Sequence, residues 1–199
     1  MEEYFHIYNR GAHKALIFND QSDYWRFLYS LYLSNSNIPF VFAEISERNI
    51  FALDRGQVLV DIIAYCLMPN HYHIYVKENE PGNITKFIRR LSTAYTMYYN
   101  KKYDHSGTIF QGRYKAKPVV DEIYSATLIN YIHLNPFGIE VPDLSKDGKA
   151  DYAKEAYDYS RKYDYSSLKD YLGEIRPQKA IIGRFNLPEV EPPTSPVSQ

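Results

Sequence analysis

Cysteine is almost absent from the chain: Cys66 stands alone. One thiol cannot build an internal disulfide framework, and it excludes a CxxC metal knuckle. Long apolar runs are missing as well, so no stretch reaches membrane-spanning length. The opening MEEYFHIYNRG lacks a basic, apolar signal segment, and a cytoplasmic protein with no membrane attachment is expected. A Walker-type phosphate loop ending in Gly-Lys-Ser or Gly-Lys-Thr is also lacking, so nothing points to chemistry driven by ATP. The net charge is only −1, which excludes a uniformly basic DNA-coating protein.

Positive charge is nevertheless concentrated. Lys86, Arg89, Arg90, Lys101, Lys102, Arg113, Lys115 and Lys117 fall in one window whose only acid is Asp104. Such a local surface suits phosphate, although a solvated helix face reads the same way. Tyrosine is abundant, at 21 residues. It packs like a hydrophobe and keeps a polar tip, which serves cores, interfaces and base stacking alike.

Hydrophobic spacing predicts a strand at 4–8, ended by the turn signal Asn9-Arg10-Gly11, and a helix over 20–34. Strand character is expected at 40–45. The apolar run VLVDIIAYCL at 58–67 reads as a central strand covered on both faces. Met68-Pro69-Asn70 turns the chain into a second strand at 71–76. A long helix follows, with Asn83 as its expected N-cap, then a loop and short strand within 106–120 and a helix over 121–134. A further helix is expected at 151–162, and the proline-rich end at 188 onward reads as disordered. This order is most simply an α+β protein, an antiparallel sheet with helices packed on it.

The chemistry-bearing candidates begin with His71-Tyr72-His73. In a strand, residues two apart share a face, so both imidazoles point one way and Tyr72 points into the packing. Two imidazoles can chelate one divalent ion. Asn135 can add an amide oxygen, and Tyr131 lies one helical turn before it on the same stripe. Spacing alone favours a core aromatic at Tyr131 and a helix cap at Asn135.

The segments AYCLMPNHYHIYV (64–76), GTIFQGRYKA (107–116) and YIHLNP (131–136), with FHIYNRG (5–11) and YDYSS (163–167), resemble the IS200/IS605-like transposases. The likeness is nearest to their REP-associated tyrosine transposase branch and spans roughly residues 4–172. It implies a ferredoxin-like core, a metal pair at His71 and His73, a further ligand at Asn135 and a nucleophilic tyrosine at Tyr131. Tyr95, Tyr98 and Tyr99 stand next in line for that last role. The resemblance also implies a magnesium or manganese cofactor and a single-stranded or hairpin DNA partner. The reaction is then metal-dependent cutting and joining of single strands through a 5′-phosphotyrosine. The alternative is a domesticated hairpin-binding protein that does not cleave. A water-attacking metal hydrolase and an RNA-binding module are more distant rivals.

Arg89, Arg90, Arg113, Lys115 and Lys117 are the expected phosphate contacts, and Phe110 and Tyr114 the expected base-stacking rings. Residues 1–140 are expected to form the catalytic domain, 141–176 a C-terminal helical extension and 177–199 a disordered tail. The stretch 46–57 is longer than the family's usual link before the central strand. A monomer is expected, with a homodimer as the alternative.

Overall fold

Alternation along one strand, β3 (His71–Glu78), sets the architecture. Tyr72, Ile74 and Val76 enter one hydrophobic core, while Tyr75 enters a second core on the opposite face. The computed structural model describes residues 3–42, 45, 47–142 and 152–183. Within it β3 pairs antiparallel with β2 (Val60–Met68) and with β1 (Glu3–Arg10). On its other edge β1 pairs antiparallel with β4 (Lys115–Val119), giving the order β2-β3-β1-β4. With α1 (Gln21–Ser34) between β1 and β2, and α2 (Asn83–Tyr103) between β3 and β4, this is the ferredoxin-like α+β arrangement.

Both crossover helices pack on the same face. Phe27, Leu28 and Leu31 of α1 and Phe87, Ile88, Leu91 and Tyr95 of α2 bury against Ile7, Ile62, Tyr72, Ile74 and Val76. The two helices are also joined by charge. Asp20 caps α1 in a reciprocal capping box with Asp23. The fully buried Asp23 carboxylate accepts from the Tyr98 hydroxyl at 2.9 Å, the Tyr103 hydroxyl at 2.7 Å and the Lys102 ammonium at 2.7 Å. Burial alone pushes the Asp23 pKa up, but the bonds from Lys102, Tyr103, Asn19 and Tyr98 outweigh it and hold the carboxyl below its ordinary value.

The opposite face carries α3 (Glu122–Leu134), whose Leu128, Ile129 and Ile132 pack on Ala64, Cys66, Met68 and Tyr75. The chain beyond α3 continues through α4 (Phe137–Glu140) and α5 (Ala153–Ser160) to a clasp along β2. There Leu67 N–H donates to the Tyr165 carbonyl at 2.9 Å, and Ser167 N–H donates to the Tyr65 carbonyl at 3.0 Å. Tyr171 and Tyr163 donate their hydroxyls to the carbonyls of Ile63 and Leu67. The edge of β2 is thereby closed. Ser167 Oγ also accepts from Tyr65 N–H at 2.9 Å and lies 2.8 Å from Nε2 of the buried His133. Strand β2, helix α3 and the clasp thus meet at one hydroxyl. At the far edge, β4 is protected by Pro118 and two exposed lysines, Lys115 and Lys117.

Three expectations change. The described residues of 40–45 form no strand; Phe40, Phe42 and Ile45 pack against the helix-side core, because the β2 edge is taken by the clasp. Residues 177–183 of the expected tail are ordered: Pro177–Ile181 is a 3-10 helix with Ile181 buried, and Gly183 N–H donates to Ile62 O. The proline-rich remainder lies outside the described residues. Gly82, with φ of 88°, takes the N-cap position expected of Asn83, and the Glu78 carboxylate accepts from Ile84 N–H at 2.8 Å.

Two measurements test these joints. Asp23→Ala lowers unfolding free energy by about 1–3 kcal/mol at pH 7, since it removes a buried carboxylate that accepts three charge-assisted or hydroxyl bonds, while Lys102 keeps Asp20 and Ser22. Because the native Asp23 pKa is depressed, its contribution is present above the unfolded value of 3.8 and is lost as pH falls through the folded value. Urea unfolding at several pH values therefore shows the wild type and variant converging in acid. Ser167→Ala leaves His133 and the Tyr65 N–H without their hydroxyl, and urea unfolding registers a loss of about 1–3 kcal/mol.

Candidate functional site

The half of the sheet face that α3 leaves open is where the polar side chains gather. On β3, His71 and His73 sit on that face with ring centroids 5.0 Å apart. On β1, His6 and Tyr8 share it, because Tyr8 pairs with His73 and His6 with Tyr75. On β4, Lys115 lies opposite Tyr8 and Lys117 opposite His6. From α3, the Tyr131 ring meets His73 edge-on at 5.3 Å and His6 at 6.2 Å. Tyr131 is 40% exposed, so it is a boundary residue and not a core aromatic.

The turns that hold this cluster are tight. Gly11 ends β1 beside the β2–β3 turn, donating its N–H to Asn70 O at 2.8 Å. A Cβ at Gly11 would fall 2.1 Å from the Ala15 carbonyl oxygen, which only glycine avoids. Asn70 in turn lies next to His71, with Oδ1 at 2.6 Å from Nδ1.

Protonation at His71 follows from these contacts. Burial, aided by the Arg10 charge and opposed by the bond to Asn135, holds its pKa below the ordinary value. A neutral imidazole has one N–H, and the Asn70 amide oxygen accepts it when it sits on Nδ1. Nε2 lies 3.3 Å from Asn135 Oδ1: protonated there it donates to the amide oxygen, and in the Nδ1–H tautomer it presents a lone pair beside it. Two facing acceptors are a natural place for a cation. An octahedral ion with ligand bonds of about 2.1 Å sets neighbouring donors about 3.0 Å apart, so the spacing fits. Asn135 occupies the C-cap position of α3 and still directs its side chain to His71. Among the described residues no group of three His, Cys, Asp or Glu side chains is arranged to hold a metal.

Burial raises the Tyr131 pKa, while its hydrogen bond with Asn135 and the Lys117 charge pull the other way. Asn135 thus touches both His71 and Tyr131. The fallback tyrosines are elsewhere: Tyr95 is buried on the helix side and donates its hydroxyl to Ile17 O, and Tyr98 and Tyr99 are on the same helix.

Several expected nucleic-acid contacts are not at this site. Arg89 and Arg90 project from α2, across the sheet from Tyr131, and line a groove of about 870 Å³ with Phe40, Phe42 and Met97. Arg90 is further tied to the Ser36 carbonyl at 2.6 Å. Phe110 is buried edge-on against Tyr72, so it is core and unavailable for stacking on a base. Tyr114 packs on the helix-side core, with its hydroxyl 3.1 Å from Thr85. Arg113 is exposed next to Gly112, whose carbonyl accepts from Asn9. Only Lys115 and Lys117 are placed on the face of the histidines, and Lys117 lies 5.8 Å from the Tyr8 ring. His6 and Tyr8 were overlooked in sequence; their signal is the alternation in FHIYNRG, which puts both on one face of β1. Burial and the Lys117 charge lower the His6 pKa to about 4, so its imidazole is neutral at pH 7.

Comparison with known proteins bears on the fold and on part of the sequence. No curated protein matches the chain by sequence. The fold is similar to a REP-associated tyrosine transposase bound to a REP hairpin, with a TM-score of 0.54 and 12% identity over 99% of this chain and 93% of that one. A candidate transposase from Deinococcus radiodurans R1 aligns with a TM-score of 0.41 and 14% identity, over 66% of this chain and 89% of that one. The family model described as "Transposase IS200 like" matches residues 41–135, a stretch that contains His71, His73, Tyr131 and Asn135 and excludes β1. Over these residues the chain is similar to the IS200-like transposases.

Proposed function

We propose that the protein nicks and rejoins single-stranded DNA with Tyr131 as the nucleophile, and that His71, His73 and Asn135 hold a divalent ion beside it. The observation that carries this reading is the meeting of a half-exposed phenol with two imidazoles and an amide on a sheet face flanked by lysines. By likeness to the hairpin-bound transposase, the substrate is a DNA hairpin with a single-stranded flank. A Mg²⁺ or Mn²⁺ ion, when bound, supplies Lewis-acid charge that neutralises the scissile phosphate.

The residues divide the rest of the work. Tyr131 Oη attacks phosphorus and gives up its proton; the phosphorus–O3′ bond breaks, and the departing oxygen takes up a proton as a 3′-hydroxyl. The 5′ side stays esterified to Tyr131, so a second 3′-hydroxyl can reverse the step without ATP. Asn135 restrains the phenol beside the ligand pair. Lys115, Lys117 and the exposed Arg113 give the strand a cationic track along the β4 edge. Closure of the β2 edge by the clasp, and the proline and lysines on β4, support a monomer.

With a labelled pool of hairpin DNAs and Mn²⁺, wild-type protein forms a chelator-sensitive, SDS-resistant protein–DNA band, and Tyr131→Phe does not. Cleavage that persists in Tyr131→Phe without such a band would instead identify a water-attacking hydrolase. Binding also separates the two basic surfaces. Lys115→Ala and Lys117→Ala each reduce the salt slope of single-strand binding by about 1, whereas Arg89→Ala leaves it unchanged. Filter binding across a salt series reads the difference.

A further inference from the structure

The two histidines of β3 are each engaged at Nδ1, but by different partners. His71 Nδ1 faces the Asn70 amide oxygen, a group that only accepts. His73 Nδ1 lies 2.9 Å from Nε2 of His6, a nitrogen that can accept or donate according to its tautomer. His6 comes from β1, outside the stretch matched by the family model. It is 7% exposed and held on several sides. Its ring lies side by side with that of His73, centroids 5.0 Å apart and planes 29° from parallel, comes within 5.0 Å of Tyr8 and meets the Tyr131 ring edge-on.

With Nδ1 of His73 engaged by His6, Nε2 is the nitrogen through which His73 would meet a cation. It can do so only as a lone pair, which places the His73 proton on Nδ1 and makes His6 Nε2 the acceptor. The His6 proton then sits on its own Nδ1. Resting on the metal-site reading above, we propose that His6 is the positioning residue for His73: its Nε2 accepts the His73 Nδ1 proton and presents the His73 Nε2 lone pair to the divalent ion. Asn70 performs the same office for His71. Partners of this kind set the tautomer and angle of a ligand imidazole, and their loss commonly weakens metal binding 10–100-fold.

The test titrates Mn²⁺ into metal-free protein and counts free ion by electron paramagnetic resonance. His6→Phe keeps a flat ring and removes the acceptor; it is expected to weaken Mn²⁺ binding about 10–100-fold. His6→Gln restores an acceptor oxygen and is expected to retain most of the affinity. Nitrogen-15 spectra of histidine-labelled, metal-free wild type are expected to show His73 protonated at Nδ1, a result that needs no variant to fold. His73 protonated at Nε2, or wild-type affinity in His6→Phe, overturns the proposal. So does a loss in both His6 variants as deep as that of His73→Ala, which would make His6 a ligand. If His71→Ala and His73→Ala bind Mn²⁺ as well as wild type does, the metal-site reading itself fails, whichever tautomer the spectra show.

Discussion

The site depends on the burial of Tyr72. Its ring is fully enclosed on the helix side, tilted against Phe27 at 5.2 Å and edge-on to Phe110 at 5.9 Å. Burial of such a side chain stabilises by about 1.5–3 kcal/mol. A slip of one residue in β3 would bring Tyr72 out and drive His71 and His73 into an apolar core. The pairing of Tyr8 with His73 and of Cys66 with His73 propagates that register to both neighbouring strands. The pairing of His71 and His73 on one face is therefore a consequence of packing on the face they do not occupy.

The two faces are closed to different extents. α1 and α2 cover one side of the sheet, while α3 lies over β2 and β3 on the other. Lys115 and Lys117 stay exposed beyond it, with Tyr8 half-buried beside them. Around this opening the proposed ligands are imidazoles and an amide, with no carboxylate among them. A cation held there keeps its charge for an anionic substrate, which suits phosphate chemistry. The position of α3 in turn rests on the clasp, where Ser167 joins His133 to the backbone of β2. The YDYSS segment that looked only like a family mark is thus the part that anchors the helix carrying Tyr131.

Much of this was legible in the residues. The apolar run at 58–67 and the HYH triplet each specify a strand through short-range pattern, and burial follows that pattern. The i to i+4 spacing of Tyr131 and Asn135 put them on one side of a helix, although it could not say which neighbour they would meet. The basic residues misled. Arg89 and Arg90 form a cationic stripe on α2, and a stripe carries no information about which side of the sheet its helix packs on. Phe110 and Tyr114 sit among basic residues in sequence, yet the core took both rings because they lay within its reach.

The sequence by itself determined the period of each element, and with it which side chains of β3 and α3 share a face, because alternation and helical repeat are local properties of the backbone. Only the tertiary structure decided that β1 lies between β3 and β4, bringing His6 against His73 and Lys117 beside both. It also decided that the distant Ser167 secures α3. Those contacts join residues 67 and 34 positions apart. They exist only once the two cores have closed, since strand order is settled by the packing of helices that no local pattern encodes.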